Sequence, residues 1–262
     1  MAKVVPLFSG SKGNSYYIGS SGEGVLIDAG RSCRQLDSAL EQNGIRPESI
    51  GAVFITHEHV DHCSGVRVFA KKHGLRIYAS AGTLSAMEEK GYIEPKNLCD
   101  VIEKDIAVGN MRIIRCDTPH DARESCCYQV VTADGRRATI ATDMGVMTDK
   151  VRELISYSDF AVVESNHDVN MLKSGFYPPD VKRRILSDKG HLSNDACAAE
   201  LAEFVRCGVF RLMLGHISEH NNIPALAVNT GLDVLEKVGM KEGLDYTLSA
   251  VPTETDGTVV VF

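Results

Sequence analysis

The sequence predicts an α/β domain, and three observations carry that prediction. Short apolar runs alternate with segments of helical periodicity. Many of the runs end in an Asp, Glu or His, as strands do when they deliver side chains to a cleft at a sheet edge. Two parts of the chain also echo each other: VLIDAG and AVFITHEH in the first half, TIATDMG and FAVVESNH in the second, each pair separated by one helical segment. Two similar β-β-α-β halves packed sheet to sheet follow from that echo. With 262 residues, 44% apolar and 24% charged, one domain over residues 1–262 can bury a large core.

Val4–Phe8, Ser15–Ile18 and Val25–Ile27 read as strands joined by the Gly- and Ser-rich turns SGSKGNS and GSSGEG. The first turn is either an anion-binding nest of backbone N–H groups under Lys12 or a plain hairpin turn. The third strand ends in Asp28-Ala29-Gly30, a carboxylate followed by a sharp turn. A helix then runs from about Cys33 to Asn43 and closes at Gly44.

The stretch AVFITHEHVDHCSG, Ala52 to Gly65, is the centre of the chain: a buried strand followed at once by His57, His59, Asp61 and His62. Residues two apart on an extended chain point the same way, so His57 and His59 can close on one ion while Asp61 and His62, where the chain turns, face a second. A helix from about Gly65 to His73 stops at Gly74. The motif thus sits on a strand-to-helix loop, where function is commonly mounted.

Further on come a strand at Arg76–Ala79, a helix at Thr83–Lys90, and a strand at Met111–Cys116 leading to His120. Cys126–Val131 and Ala138–Thr142 make a hairpin whose second strand ends at Asp143. After Tyr177-Pro178-Pro179 the run Lys182-Arg183-Arg184 reads as a solvated helix face or a phosphate-steering patch. An amphipathic helix follows Gly190-His191-Leu192, with Ser193 or Asn194 as N-cap and a stop at Gly208. Phe210–Leu214 is a strand tipped by His216, and a helix from Pro224 and two strands, Tyr246–Val251 and Thr258–Phe262, complete the chain.

A formal charge of −7 excludes a broad basic surface, so any nucleic-acid contact must be local and helped by metal ions. No apolar run reaches the roughly 18 residues of a membrane helix, and the start lacks a signal-peptide core; the expected location is cytoplasmic, without membrane partners. Eight cysteines without a C-x-x-C pair read as reduced thiols, and Cys63 is not needed as a ligand beside so many imidazoles and carboxylates.

Asp28, the H-x-H-x-D-H run at His57–His62, His120, Asp143 and His216 resemble, in order and across nearly the whole chain, the five motifs of the metallo-β-lactamase fold, a four-layer αββα sandwich. The resemblance implies that His57, His59 and His120 hold one divalent ion and Asp61, His62 and His216 a second, that Asp143 bridges them, and that Asp28 orients ligands from behind. Zn²⁺, Mn²⁺ and Fe²⁺ all suit such donors. Retention of Asp61-His62 points to the hydrolase side of the fold, and no long insertion after Asp143 provides a β-CASP cap.

GHLSNDACAAELA and LGHISEHNN look like segments of RNase Z, whose paired Glu and His fall here on Glu164 and His191. The match is closer still to the WalJ/YycJ group of bacterial metallohydrolases: SGSKGNS, THEHVDH, SNHD, KRRILSDKGHLSN and GHISEHNN carry it, with Ser165 for Ala and Ile217 for Leu as mild departures. The resemblance implies a dinuclear phosphodiesterase, a 5′ to 3′ DNA exonuclease, in which two cations about 3.5–4 Å apart lower the pKa of a bridging water, and the hydroxide attacks in line. Asp61 serves the catalytic ions. His191, kept cationic by Glu164, is the candidate general acid, against a purely structural role in its loop.

Asn166, His167, Ser218, His220 and Asn221 are candidate contacts for a terminal phosphate, the alternative being loop hydrogen bonds. The competing readings are a small-molecule hydrolase, such as a glyoxalase II-like thioesterase or cyclic-nucleotide phosphodiesterase, and a redox or binding module. Flavodiiron-type sites place a carboxylate where this chain has His59, which disfavours the last. A homo-oligomer is compatible with everything above.

Overall fold

The computed structural model describes residues 1–262, which form two compact units: Met1–Arg115 with Ala122–Ala138 and Pro252–Phe262, and Cys116–Asp121 with Thr139–Val251. In chain order the elements begin with strands β1 (Lys3–Phe8), β2 (Ser15–Ser20) and β3 (Glu23–Ile27), helix α1 (Cys33–Gln42), and strand β4 (Ile50–Phe54). Next come α2 (Val60–Cys63), α3 (Val66–His73), β5 (Arg76–Ala79), α4 (Ala81–Glu89), β6 (Leu98–Val101), β7 (Asp105–Val108), β8 (Met111–Asp117), β9 (Cys126–Val131) and β10 (Arg137–Ala141). The remainder is α5 (Asp149–Ser156), β11 (Phe160–Glu164), α6 (Val169–Ser174), α7 (Pro179–Ile185), α8 (Asn194–Arg206), β12 (Arg211–Gly215), α9 (Pro224–Lys237), β13 (Thr247–Ala250) and β14 (Val260–Val261).

The first unit is built on a mixed sheet ordered β14-β1-β2-β3-β4-β5-β6, antiparallel through β3 and parallel from β3 to β6. Its inner strands are buried because their apolar residues face α1 and α3, whose Leu36, Leu40, Val66 and Phe69 join Leu26, Val53 and Ile77 in one core. The expected stop of α3 is confirmed: Gly74 takes the left-handed conformation at φ 65°, open to Gly without a Cβ penalty. α4 starts two residues before the predicted Thr83, because the Ser80 hydroxyl accepts the Thr83 N–H at 3.1 Å and so caps the helix there. The Ser9–Ser15 turn is closed on itself and is no anion nest: Gly10 N donates to Asn14 Oδ1 at 2.9 Å and Gly13 N to Gly10 O at 3.0 Å.

In the second unit β11, β12 and β13 pair in parallel, with Phe160 beside Arg211 and Arg211 beside Thr247. Parallel strands run in one direction, so their C-terminal ends share an edge and carry Glu164 and His216 to it. Of the two predicted caps for α8, Ser193 is the one used, its Oγ accepting from Ala196 N at 3.1 Å. No helix is long and apolar enough to cross a membrane, and all eight cysteines are free thiols.

Candidate metal centre

In the first unit the donors hang on the ends of two adjacent parallel strands. β3 delivers Asp28 and β4 delivers Thr56 and His57, locked together by the Asp28 N–H donating to Phe54 O at 2.8 Å. Asp28 is wholly buried in the left-handed region, at φ 62°, which Asp tolerates better than most residues. Its carboxylate accepts from Thr56 N at 2.8 Å, from Thr56 Oγ1 at 2.9 Å, and from His62 Nδ1 at 2.8 Å. Burial pushes the Asp28 carboxyl up, and His62 and Thr56 pull against it. Fixing Nδ1–H of His62 leaves Nε2 as the nitrogen with a lone pair, the arrangement a metal-ligating imidazole needs.

The rest of the run converges on that point. The ring of His57 lies 4.6 Å from that of His59 and 4.1 Å from that of His62, and His62 Nε2 is 3.6 Å from Asp61 Oδ2. Thr56 Oγ1 lies 3.0 Å from His57 Nδ1, so one hydroxyl sits between two imidazoles and the buried Asp28. Asn14, from the β1–β2 turn, brings Nδ2 to 3.0 Å from His62 Nε2. Backbone bonds weld the loop in place: Asn14 N to Asp61 O at 2.7 Å and Ala29 N to His62 O at 2.8 Å. Gly30 is obligatory here, since a Cβ would stand 1.7 Å from Asp61 O. Burial drives the Cys63 thiol well above the usual range, and its Sγ donates to His59 O.

The second unit draws its donors from five separate places. His120 follows β8, Asp143 follows β10, Glu164 ends β11, His191 precedes α8 and His216 follows β12. Asp143, at φ 60°, and His216, at φ 53°, repeat the left-handed strand tip seen at Asp28. The donor atoms of Asp143, Glu164, His191 and His216 all lie within 4.8 Å of one another, and His120 Nε2 is 3.8 Å from Asp143 Oδ1.

Glu164 organises this set from a fully buried position. Oε1 accepts from His191 Nδ1 at 2.7 Å and from His216 Nδ1 at 3.1 Å, while Oε2 accepts from Met144 N at 2.9 Å. Burial raises its carboxyl pKa, but the His191 charge and the hydrogen bonds from His191 and His216 outweigh burial and hold it below the usual carboxylate range. His120 Nδ1 in turn meets Gly190 O at 3.0 Å. Burial makes the His120 ring harder to protonate, against the pull of Asp143.

His57, His62, His120 and His216 therefore each have Nδ1 engaged by an oxygen, which leaves Nε2 as the nitrogen that could ligate a cation. These imidazole and carboxylate donors fit divalent cations of the Zn²⁺, Mn²⁺ or Fe²⁺ type.

A beta-lactamase superfamily domain matches residues 24–217. The exodeoxyribonuclease WalJ of Streptococcus pneumoniae is 35% identical over 254 residues, 95% of this chain and 94% of WalJ. The exodeoxyribonuclease YycJ of Bacillus anthracis is 34% identical over 239 residues, 90% of each chain. The chain belongs to the beta-lactamase superfamily and, within it, to the WalJ/YycJ family. Among solved structures, the metallo-beta-lactamase fold protein YhfI of Bacillus subtilis superposes with a TM-score of 0.72 at 17% identity, over 99% of this chain and 98% of YhfI. The short form of human tRNase Z gives 0.64 at 19% identity, over 99% and 98%. These likenesses establish the predicted metallo-β-lactamase fold, two mixed sheets flanked by helices.

For this WalJ/YycJ family member, the five predicted substrate contacts divide by position. Asn166, His167, Ser218 and Asn221 are buried and His220 is exposed. Asn166 Nδ2 donates to His216 O at 2.9 Å, and Ser218 Oγ accepts from Asn221 N at 3.2 Å, so these side chains brace the loop after β12. Neither ring nitrogen of His167 has a hydrogen-bond partner. Thr56 and Asn14 are participants that the sequence did not announce. Asn14 stands in the Gly- and Ser-rich turn, where an Asn looks like ordinary turn chemistry.

Proposed function

We propose that this chain is a cytoplasmic, divalent-metal-dependent phosphodiesterase that removes nucleotides from DNA in the 5′ to 3′ direction, working as one functional domain over residues 1–262. The whole-length similarity to WalJ and YycJ, both named exodeoxyribonucleases, carries this reading. The imidazoles fixed through Nδ1 support it independently of any name. His57, His59 and His120 would hold one ion, Asp61, His62 and His216 a second, with Asp143 common to both. When bound, such a pair supplies Lewis acidity to a phosphoryl oxygen and makes water a nucleophile near neutral pH.

The protein's own work is positioning and proton transfer. Asp28 and Thr56 hold the His57 and His62 rings, and Glu164 holds His191 and His216. Glu164 is too buried to meet substrate, so it acts through those two imidazoles. His191 is the partly exposed member of the set and gives its proton to the departing oxygen. His220 reaches the substrate's terminal phosphate from the surface, while the buried Asn166, His167, Ser218 and Asn221 shape the loop behind it.

The test is elemental analysis followed by digestion of end-labelled DNA with Zn²⁺, Mn²⁺ or Fe²⁺, comparing 5′-phosphorylated with 5′-hydroxyl ends. Two ions per chain and faster release from the phosphorylated 5′ end are expected. Turnover of an acyl-glutathione thioester without DNA cleavage would put a small-molecule hydrolase in its place.

A further inference from the structure

Lys173 to Lys189 carries five Lys and Arg residues against two Asp, a local excess of positive charge on a chain of net charge −7. Lys182 and Arg184 are spent within the fold. Lys182 Nζ donates to Lys173 O at 2.8 Å and Gly175 O at 2.6 Å, and Arg184 pairs with Asp121. Lys173 and Arg183 remain exposed on α6 and α7. Between these helices an apolar residue stands well into solvent: Phe176 is 75% exposed.

Single exposed apolar residues are ordinary, but this one is neither single nor loose. Its ring stands edge-to-face with Tyr177 at 5.0 Å and with His220 at 5.3 Å, and Tyr177 and His220 are themselves 6.1 Å apart and nearly perpendicular. Gly175 N donates to Met171 O at 2.7 Å, and a Cβ on Gly175 would lie 2.9 Å from Asn221 Oδ1, which seats the turn against the loop after β12. Pro178 and Pro179 stiffen the exit. The outcome is a cluster of three rings on the segment between α6 and α7, helices that carry the exposed Lys173 and Arg183, joined through His220 to the loop that starts at His216.

We propose that Phe176, backed by Tyr177 and His220, is a stacking platform for an unpaired base of the DNA strand being degraded, with Lys173 and Arg183 drawing in the backbone. The assignment rests on the exonuclease reading and adds a substrate-positioning residue to it. A base offers its π-face whatever its identity, so stacking holds a strand end without reading sequence, as a processive or sequence-tolerant nuclease requires. Electrostatic attraction from a small basic patch suffices for that contact on an otherwise acidic protein.

The chain contains no tryptophan, so Phe176→Trp introduces a lone fluorophore that keeps the stacking surface. The metal-loaded variant is titrated with a 5′-phosphorylated, phosphorothioate-linked single strand while the anisotropy of the labelled strand reports binding. Tyr157→Trp, at a 63% exposed position on another loop, is the control. Emission from the Trp at 176 should be quenched along the binding curve and that from the Trp at 157 should not. In steady state, Phe176→Ala should raise KM about tenfold with kcat little changed, and Phe176→Trp should restore it. An abasic nucleotide at the strand end should erase the difference between Phe176→Ala and the native chain. DNA binding without quenching, or an unchanged KM in Phe176→Ala, overturns the platform and leaves the exonuclease standing. A native protein that neither binds nor cleaves DNA removes both.

Discussion

The two donor sets reach similar chemistry by opposite construction. In the first unit His57, His59, Asp61 and His62 lie on one short stretch whose backbone is bonded to its neighbours at Asn14 and Ala29. In the second, His120, Asp143, Glu164, His191 and His216 come from five places and are tied mainly by one buried carboxylate, Glu164. The contiguous set is held by many short-range bonds, so losing one side-chain contact leaves the loop where it is. The dispersed set concentrates its cohesion in a single residue, and removing that residue frees two imidazoles at once.

Substituting the two organising carboxylates makes the contrast measurable. Glu164→Gln keeps the shape but removes the anion that His191 and His216 share, and turnover should fall about 10²- to 10⁴-fold. Added metal should not restore it, because the loss lies in proton transfer as well as ligation. Asp28→Asn should weaken metal binding about 10- to 100-fold, with turnover recovering at saturating metal. Circular dichroism separates misfolding from the intended loss in each case. Recovery of Glu164→Gln by metal alone would erase the difference drawn between the two sets.

The next effect isolates His191. Its replacement by Ala should leave both ions bound and lower turnover about 10²-fold, a result read from metal content and kcat on the same preparation. The matching change in the first unit, Thr56→Val, should cost less, since Asp28 still holds His62 directly at 2.8 Å. Unchanged turnover in His191→Ala would return His191 to a structural role before α8.

How much of this could be read from the chain follows the same divide. The H-x-H-x-D-H spacing announces itself, because its geometry is local and two-residue periodicity is a property of extended backbone. The Asp-x-Gly echo is visible as well, and the fold supplies its cause. Asp28 and Asp143 both turn left-handed, and the glycine two residues on meets another backbone: Asp61 O at 1.7 Å from a Cβ on Gly30, Ser187 O at 2.3 Å from one on Gly145. His120 and His216 could be placed only by resemblance, since a lone His after a strand has no distinctive spacing. Thr56 and Asn14 escaped, because their function depends on which imidazole the fold sets beside them. The edge strands β6 and β7 escaped too: LCDV and DIAV contain no fully buried residue and lack the buried face that reveals a strand. The six-residue α6 depends on a cap, Asp168 Oδ1 accepting from Met171 N at 2.7 Å, more than on periodicity.

The second unit's weaker bracing should also appear in its response to acid. His167 is buried with neither ring nitrogen hydrogen-bonded, and burial, reinforced by the nearby His191 and opposed by Glu164, lowers its pKa from 6.5 to about 4. The folded chain therefore keeps this ring neutral while the unfolded chain takes up a proton, and protons favour unfolding wherever the unfolded state binds more of them. His167 contributes its full stability above pH 6.5 and loses it progressively as pH falls toward about 4. The whole change is on the order of 1–3 kcal/mol, spread over that window. Urea midpoints of the native chain should drop across this interval. His167→Gln, which cannot titrate, should start lower at neutral pH but follow a flatter course into acid. The matched Asp28→Asn variant keeps His167 and loses a carboxyl whose raised pKa opposes the His167 effect, so its fall into acid should be no flatter than that of the native chain. Parallel pH profiles for native protein and His167→Gln would mean that some other group governs the acid response.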